Sequence, residues 1–205
     1  MWIGIIGSAG RGSDGAKWTP RIYKNCFKYL DNVALADVPI ADRQLVSGGA
    51  SWADHLAVSL FLSGKAGGLD IHMPCQFHLD EEQNWMWSRK LSIPGYADTG
   101  VRDFKINPGG TLNYYHRLFS DKMQANTMAG IALAAYKGAN LHVHYPMRVG
   151  DSPLHHRNLI VGRGLERLYA FTWGEDPTTP ADGGTKHCWD HASGRKQHIP
   201  LHTMR

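Results

Sequence analysis

Apolar and polar positions along this chain fall into short blocks, and the period of each block names an element. Trp2–Ile6 is a continuous apolar run closed by Gly7-Ser8-Ala9-Gly10, which predicts a strand and then a turn. Ile22, Cys26, Tyr29, Leu30 and Val33 recur at helical spacing and predict a helix over 22–35. Leu45-Val46 returns to β character before Gly48-Gly49-Ala50. Trp52, Leu56, Leu60 and Phe61 then mark a second helix that stops at glycines. "LDIHMPC" predicts the next strand. Residues 78–110 lose clear periodicity: "HLDEEQNWMWSRK" reads as a short helix and the remainder as turns. Over 111–138, Tyr115, Phe119, Met123 and Ile131 predict one long helix, capped by Thr111 and stopped at Gly138. "NLHVHYP" alternates as a strand, "HHRNLIVGRG" reads as a short helix and "LERLYAFTWG" as a buried strand. "TKHCWDHA" and "HIPL" supply a last helix and strand.

The order β-α-β-α-β at the start favours a parallel sheet with right-handed crossovers. The expectation is an α/β, Rossmann-like parallel sheet flanked by helices. It forms a single domain over 1–205, with an irregular insertion at 78–110.

Composition narrows the picture. The chain has 205 residues, 42% hydrophobic and 20% charged, the balance of a globular domain. No apolar stretch approaches the ~20 residues of a membrane span. "MWIGIIGSAG" has no basic residues before its apolar run, so it reads as a strand and not a signal peptide. The formal charge is +4 with scattered cations, so nucleic-acid binding is not forced and a basic pocket for a small anion explains them equally well. Cys26, Cys75 and Cys188 are sparse and odd in number, which argues for a reducing, cytoplasmic setting over a disulfide framework.

Three strand ends are expected to be followed by glycine-rich turns, at Gly7–Gly12, Gly48–Ala50 and Gly183–Thr185. Glycine lets backbone approach a ligand closely, and the N–H groups that open a helix favour anions. In an open parallel sheet, ligands bind outside the C-terminal strand ends. The shared expectation is one pocket built by all three corners.

"GIIGSAGRGSDG", "LVSGGASWADHLA", "RNLIVGRGLERLYAF" and "GGTKHCWDHA" resemble, in order, the motifs of the SLOG superfamily, the Rossmann-like group named after the DprA/SMF and LOG proteins. The similarity is greatest to its YspA-like branch and covers about half the chain; 78–145 matches no motif. The resemblance implies a nucleotide-derived ligand. Some members cleave the N-glycosidic bond of a nucleoside 5′-monophosphate. Others bind an ADP-ribose-like signal in antiviral defence, and stand-alone phage members could sequester it.

Carried over residue by residue, the resemblance places Gly7, Ser8 and Arg11 near a phosphate, although "SAGR" sets Arg11 two residues later than the family pattern. Gly48, Gly49 and Ala50 form a second cradle. Asp54 either complements its helix dipole or accepts ribose hydroxyls. Arg157 and Asn158 match the family "RN" and bond either the ligand or neighbouring loops. Gly183, Gly184 and Thr185 match the late cradle. LOG enzymes place a catalytic glutamate three residues beyond that threonine, and Cys188 stands there. Asp190, Glu175 and Asp176 are the carboxylates that could substitute.

Twelve histidines raise a metal reading through His187, Cys188 and His191, with His142 and His144 nearby. The spacing is incomplete, and no metal or cofactor is expected. Among Trp2, Trp18, Trp52, Trp173 and Trp189, most belong to a core and one or two could stack on a base. The function expected is binding of an ADP-ribose-like or nucleoside-phosphate ligand, sensing or sequestering it. The alternative is a LOG-like phosphoribohydrolase. The expected partners are that small molecule and further copies of the chain, a dimer or higher, without membrane or nucleic acid.

Overall fold

The structure is a computed structural model that describes residues 1–79, 84–87, 107–144, 152–181 and 183–205. Its centre is a six-stranded sheet. The strands are β1 (Trp2–Gly7), β2 (Gln44–Ser47), β3 (Gly68–Met73), β6 (Asn140–Val143), β7 (Arg167–Thr172) and β8 (Arg195–Pro200). Their order is β6-β3-β2-β1-β7-β8, and every neighbouring pair is parallel. The fold is therefore the expected α/β, Rossmann-like one. The chain winds outward from β1 to β6, then crosses back to β7. This makes the crevice between the C-terminal ends of β1 and β7 the topological switch point.

The central strands are buried on both faces, as parallel strands must be. Ile3 and Ile5 join one core and Ile6 the other; Tyr169 and Phe171 join the first, Leu168 and Ala170 the second. That alternation is the period-two pleat. The larger core receives α2 (Pro20–Tyr29), α3 (His55–Leu62), α4 (Pro108–Met123) and α5 (Thr127–Tyr136). The smaller core receives α6 (Pro153–Gly162) and α7 (Gly184–His191). A four-residue helix, α1 (Asp14–Lys17), follows the first corner.

Several elements depart from the expectation. The first helix is α2, capped by Thr19 and led by Pro20; it becomes a π turn at Leu30–Ala34. The second helix starts only at His55, because Trp52 takes a left-handed backbone (φ 59°) that no helix can contain. Its ring repays that turn by stacking on Trp18, with centroids 5.0 Å apart.

The short helix read from "HLDEEQNWMWSRK" is instead an antiparallel hairpin, β4 (Phe77–Leu79) with β5 (Trp85–Trp87). Across the pair, Phe77 stacks on Trp85 at 5.3 Å. The rest of the 78–110 insertion before Asn107 lies outside the described residues. The single helix over 111–138 is two, α4 and α5. Gln124 turns left-handed (φ 51°), and Asn126 recaps the chain by accepting from the Ala129 N–H at 2.9 Å. Asn107, not Thr111, caps α4, accepting from the Gly110 N–H at 2.8 Å, with Pro108 in the first turn. Gly138 follows α5 with a φ of 99°, as a helix stop does.

Candidate functional site

The C-terminal ends of β1 and β7 and the N-terminal ends of α6 and α7 enclose a cavity of about 490 Å³. Ten sequence-predicted residues line it: Gly7, Ser8, Arg11, Ala50, Asp54, Arg157, Asn158, Gly183, Gly184 and Thr185. Gly48 and Gly49 stand behind that lining. A wider groove of about 1010 Å³ between β5, α4 and α5 holds none of the predicted residues.

The first two glycine corners are tied to the protein's own groups. At the end of β1, the Gly7 N–H donates to Asp54 Oδ1 at 3.1 Å and the Ser8 N–H to the Phe171 carbonyl at 2.8 Å. The Ser8 hydroxyl bonds Asp14 at 3.0 Å and accepts from the Gly10 N–H. At the end of β2, the N–H groups of Gly48 and Ala50 turn toward the same Asp54 carboxylate, and the Gly49 N–H goes to Ser47 Oγ at 3.1 Å. Asp54 occupies the N-cap position of α3, yet its side chain makes no cap bond. Its carboxylate instead fills the cradle that the sequence suggested for a phosphate. Burial pushes the Asp54 carboxyl above the ordinary range, opposed by Arg157 and these N–H groups.

Glycine is needed at both positions behind the lining. A Cβ on Gly48 would lie 1.6 Å from Arg157 Nη1, and Gly49 has a φ of 67°.

The third corner is different. Gly183 opens α7 without a side-chain cap, and the first intrahelical bond runs from the His187 N–H to the Gly183 carbonyl. The N–H groups of Gly184 and Thr185 therefore have no partner among the described residues, and both residues line the cavity. Asn158 Nδ2 donates to the Gly184 carbonyl at 2.9 Å and holds α7 against α6.

Arg157 faces these groups from α6. It is 5% exposed. Its Nη1 donates to the Gly48 carbonyl and lies 3.8 Å from Asp54 Oδ2. Its Nε is buried without a partner, and among the described residues Nη2 makes no hydrogen bond. Nε and Nη2 form one edge of the guanidinium, the edge that takes an oxyanion in two parallel bonds. Burial disfavours its charged form, with Asp54 the main opposing influence. Arg11 is exposed on the lining and close enough to add to the positive field at Arg157.

Cys188, the residue that the motif resemblance sets against the LOG glutamate, lines the cavity. It is buried, and burial pushes its thiol up to about 12, so it is a neutral thiol at physiological pH. The proposed substitutes stand elsewhere. Asp190 is exposed and paired with Lys186 at 2.5 Å, and Asp176 binds Thr178 and Thr179. Neither they nor Glu175 line the cavity. Its lining carboxylates among the described residues are Asp14 and Asp54.

His187 and Cys188 do not share a face toward one centre: His187 stacks on His155 at 4.7 Å and meets His191 at 4.8 Å. His142 and His144 stack on His72, in the β3–β6 part of the sheet. Among the described residues, no three such side chains are placed to hold a metal ion.

Sequence reasoning did not select Asp14, Lys17, Leu154 or His155 as lining residues. It did not single out Trp173 among the tryptophans either. Trp173 lies just past β7, edge-on to Trp18 at 5.9 Å, with the Lys17 ammonium 5.6 Å from its ring centroid. Its position directly after "AFT" was the signal, since a residue just past a central strand enters the switch-point crevice.

No helix among the described residues is long and apolar enough to cross a membrane. The chain matches no protein-family model. Over 147 residues, 71% of its length, it is 26% identical to "Uncharacterized protein R261" of Acanthamoeba polyphaga mimivirus, and the match spans 64% of that relative.

Proposed function

We propose that this cavity binds a nucleotide-derived anion of the ADP-ribose or nucleoside-phosphate class and holds it intact, to sense or sequester it. The observation that carries the reading is buried Arg157, a lining residue whose Nε has no partner, in a cavity that the uncapped start of α7 also lines. A buried guanidinium with open donors is costly unless an oxyanion completes it. The helix N-terminus adds N–H donors and dipole of the right sign. Trp173, at the lining, offers an aromatic surface for a base. A volume of about 490 Å³ lies within the usual range of small-molecule sites. Membership of the SLOG superfamily is part of this proposal, and the likeness of the motifs supports it.

A second reading, N-glycosidic hydrolysis, draws on Asp54, a cavity carboxyl pushed up by burial. Its oxygens already serve Gly7 and the second corner, and Asp190 and Glu175 lie off the lining, so binding ranks first. The test is incubation with AMP and with ADP-ribose, followed by mass spectrometry of the ligand released on heat denaturation. Recovery of intact ligand supports binding. Accumulation of free base with ribose phosphate, stopped by Asp54→Asn, replaces it with hydrolysis.

A further inference from the structure

We propose that His116 is a positioning residue for the cavity: its buried imidazole fixes the second glycine corner and, through that corner, Asp54 and Arg157. The inference rests on the anion-binding reading above, because Arg157 is the group whose placement it controls.

His116 lies on α4 with no exposed surface. Its Nε2 is 3.0 Å from the Gly49 carbonyl and its Nδ1 is 3.0 Å from Thr127 Oγ1. A carbonyl only accepts, so Nε2 carries the hydrogen. Burial holds the ring neutral, with its pKa down at about 4, so Nδ1 carries no hydrogen and the Thr127 hydroxyl donates to it, the nearer of its two acceptors, the other being the His116 carbonyl at 3.3 Å. Thr127 Oγ1 then accepts from the Ser120 hydroxyl at 2.8 Å, and Ser120 Oγ accepts from the Thr127 N–H at 3.1 Å. The directions run one way, from the α4–α5 junction to the glycine corner.

The corner passes that constraint on. Gly49 sits between Gly48 and Ala50, whose N–H groups face the Asp54 carboxylate, while the Gly48 carbonyl receives Arg157 Nη1. Without the bond at Gly49, a left-handed glycine is free to rotate its peptide, and the cradle and Arg157 lose their common reference. His116 itself is not on the cavity lining, so it acts through the corner and not on the ligand.

His55 supplies the control. It is also buried and lies 5.9 Å from His116, centroid to centroid, but its Nδ1 has no partner and, among the described residues, its ring makes no bond to the corner.

The test uses calorimetry with AMP and ADP-ribose as probes, and hydrogen exchange of the ligand-free protein. His116→Leu removes both ring bonds, whereas His116→Gln can still present an N–H to Gly49. We expect His116→Leu to weaken the better probe about tenfold or more, the worth of one buried hydrogen bond and its stranded partner. His116→Gln should stay near wild type, and so should His55→Leu. Without ligand, the Gly7, Gly48 and Ala50 amides should exchange faster in His116→Leu and not in His116→Gln. If His116→Leu does not fold, Thr127→Val, which removes the hydroxyl partner of Nδ1 and of Ser120, carries the same comparison. Wild-type affinity with wild-type exchange at those amides in His116→Leu overturns the proposal, as does equal loss in His55→Leu. If neither probe binds the wild type while the exchange pattern appears as expected, the positioning role stands and the anion-binding reading falls.

Discussion

Acid should unfold this protein through two buried histidines before it reaches the carboxylates. His55 and His116 are both held neutral by burial, with pKa values brought down to about 3 and about 4. In the unfolded chain each titrates near 6.5. A histidine with a depressed folded pKa adds nothing to the pH dependence above about 6.5, where both states are neutral. Between about 6.5 and its folded value only the unfolded state takes the proton, so stability falls as pH falls through that window. Each pH unit costs about 1.4 kcal/mol per histidine, so at about pH 5 each has cost roughly 2 kcal/mol, and the pair roughly 4. A domain with about 5–15 kcal/mol in total loses a large share of it.

The assay is urea unfolding followed by tryptophan fluorescence at about pH 7, 6 and 5. His55→Leu keeps the volume, removes the unpartnered Nδ1 and removes one titration. It should be no less stable than wild type at neutral pH and should lose one histidine's share of the acid dependence, with His116 and His72, both brought down to about 4, keeping theirs. Unchanged midpoints between about pH 7 and 5, or the full dependence in His55→Leu, would refute the reasoning.

The other expectations are local. Gly48→Ala sets a Cβ 1.6 Å from Arg157 Nη1, so the guanidinium must move. Loss of probe affinity and a fall of several degrees in Tm are expected, and an unshifted melting curve contradicts the packing described. Cys26, Cys75 and Cys188 are buried thiols with pKa values pushed up to about 12. A thiol reagent near neutral pH should label them only as the protein unfolds, and rapid stoichiometric labelling of the folded chain counts against this placement. Asp190→Asn breaks only an exposed pair with Lys186, so stability should change by less than about 1 kcal/mol, and calorimetry should find AMP binding intact.

The fold was legible where periodicity and punctuation agreed. β1 and β7 follow directly from apolar runs ending near glycine. Reading failed where a short polar segment hid its geometry. In "QANT", Gln124 turns left-handed and Asn126 recaps, yet the apolar period runs through unbroken and suggests one helix. In the β4–β5 pair, each strand has only three residues, too few for a strand period to overrule the helix-favouring residues between them.

Most of the cavity-lining candidates were legible together, because the first two glycine corners follow strands of one parallel sheet and so meet at one edge. Their roles were not. Nothing in "SGGASWAD" says that the aspartate folds back into the glycine cradle, since that depends on the left-handed turn at Trp52. Nor does the sequence tie His116, 67 residues from Gly49, to the corner. That contact belongs to packing of α4 against the sheet edge.

The account turns on Arg157. The most direct measurement is calorimetric titration of wild type and Arg157→Lys with AMP and ADP-ribose, with thermal unfolding of both as the control for folding. A lysine keeps the charge but cannot present two parallel donors. Wild type should bind at least one probe with one site per chain, and Arg157→Lys should lose about tenfold to a hundredfold in affinity while remaining folded. Failure of wild type to bind either probe, or wild-type affinity in a folded Arg157→Lys, would contradict the assignment of this cavity as an anion site.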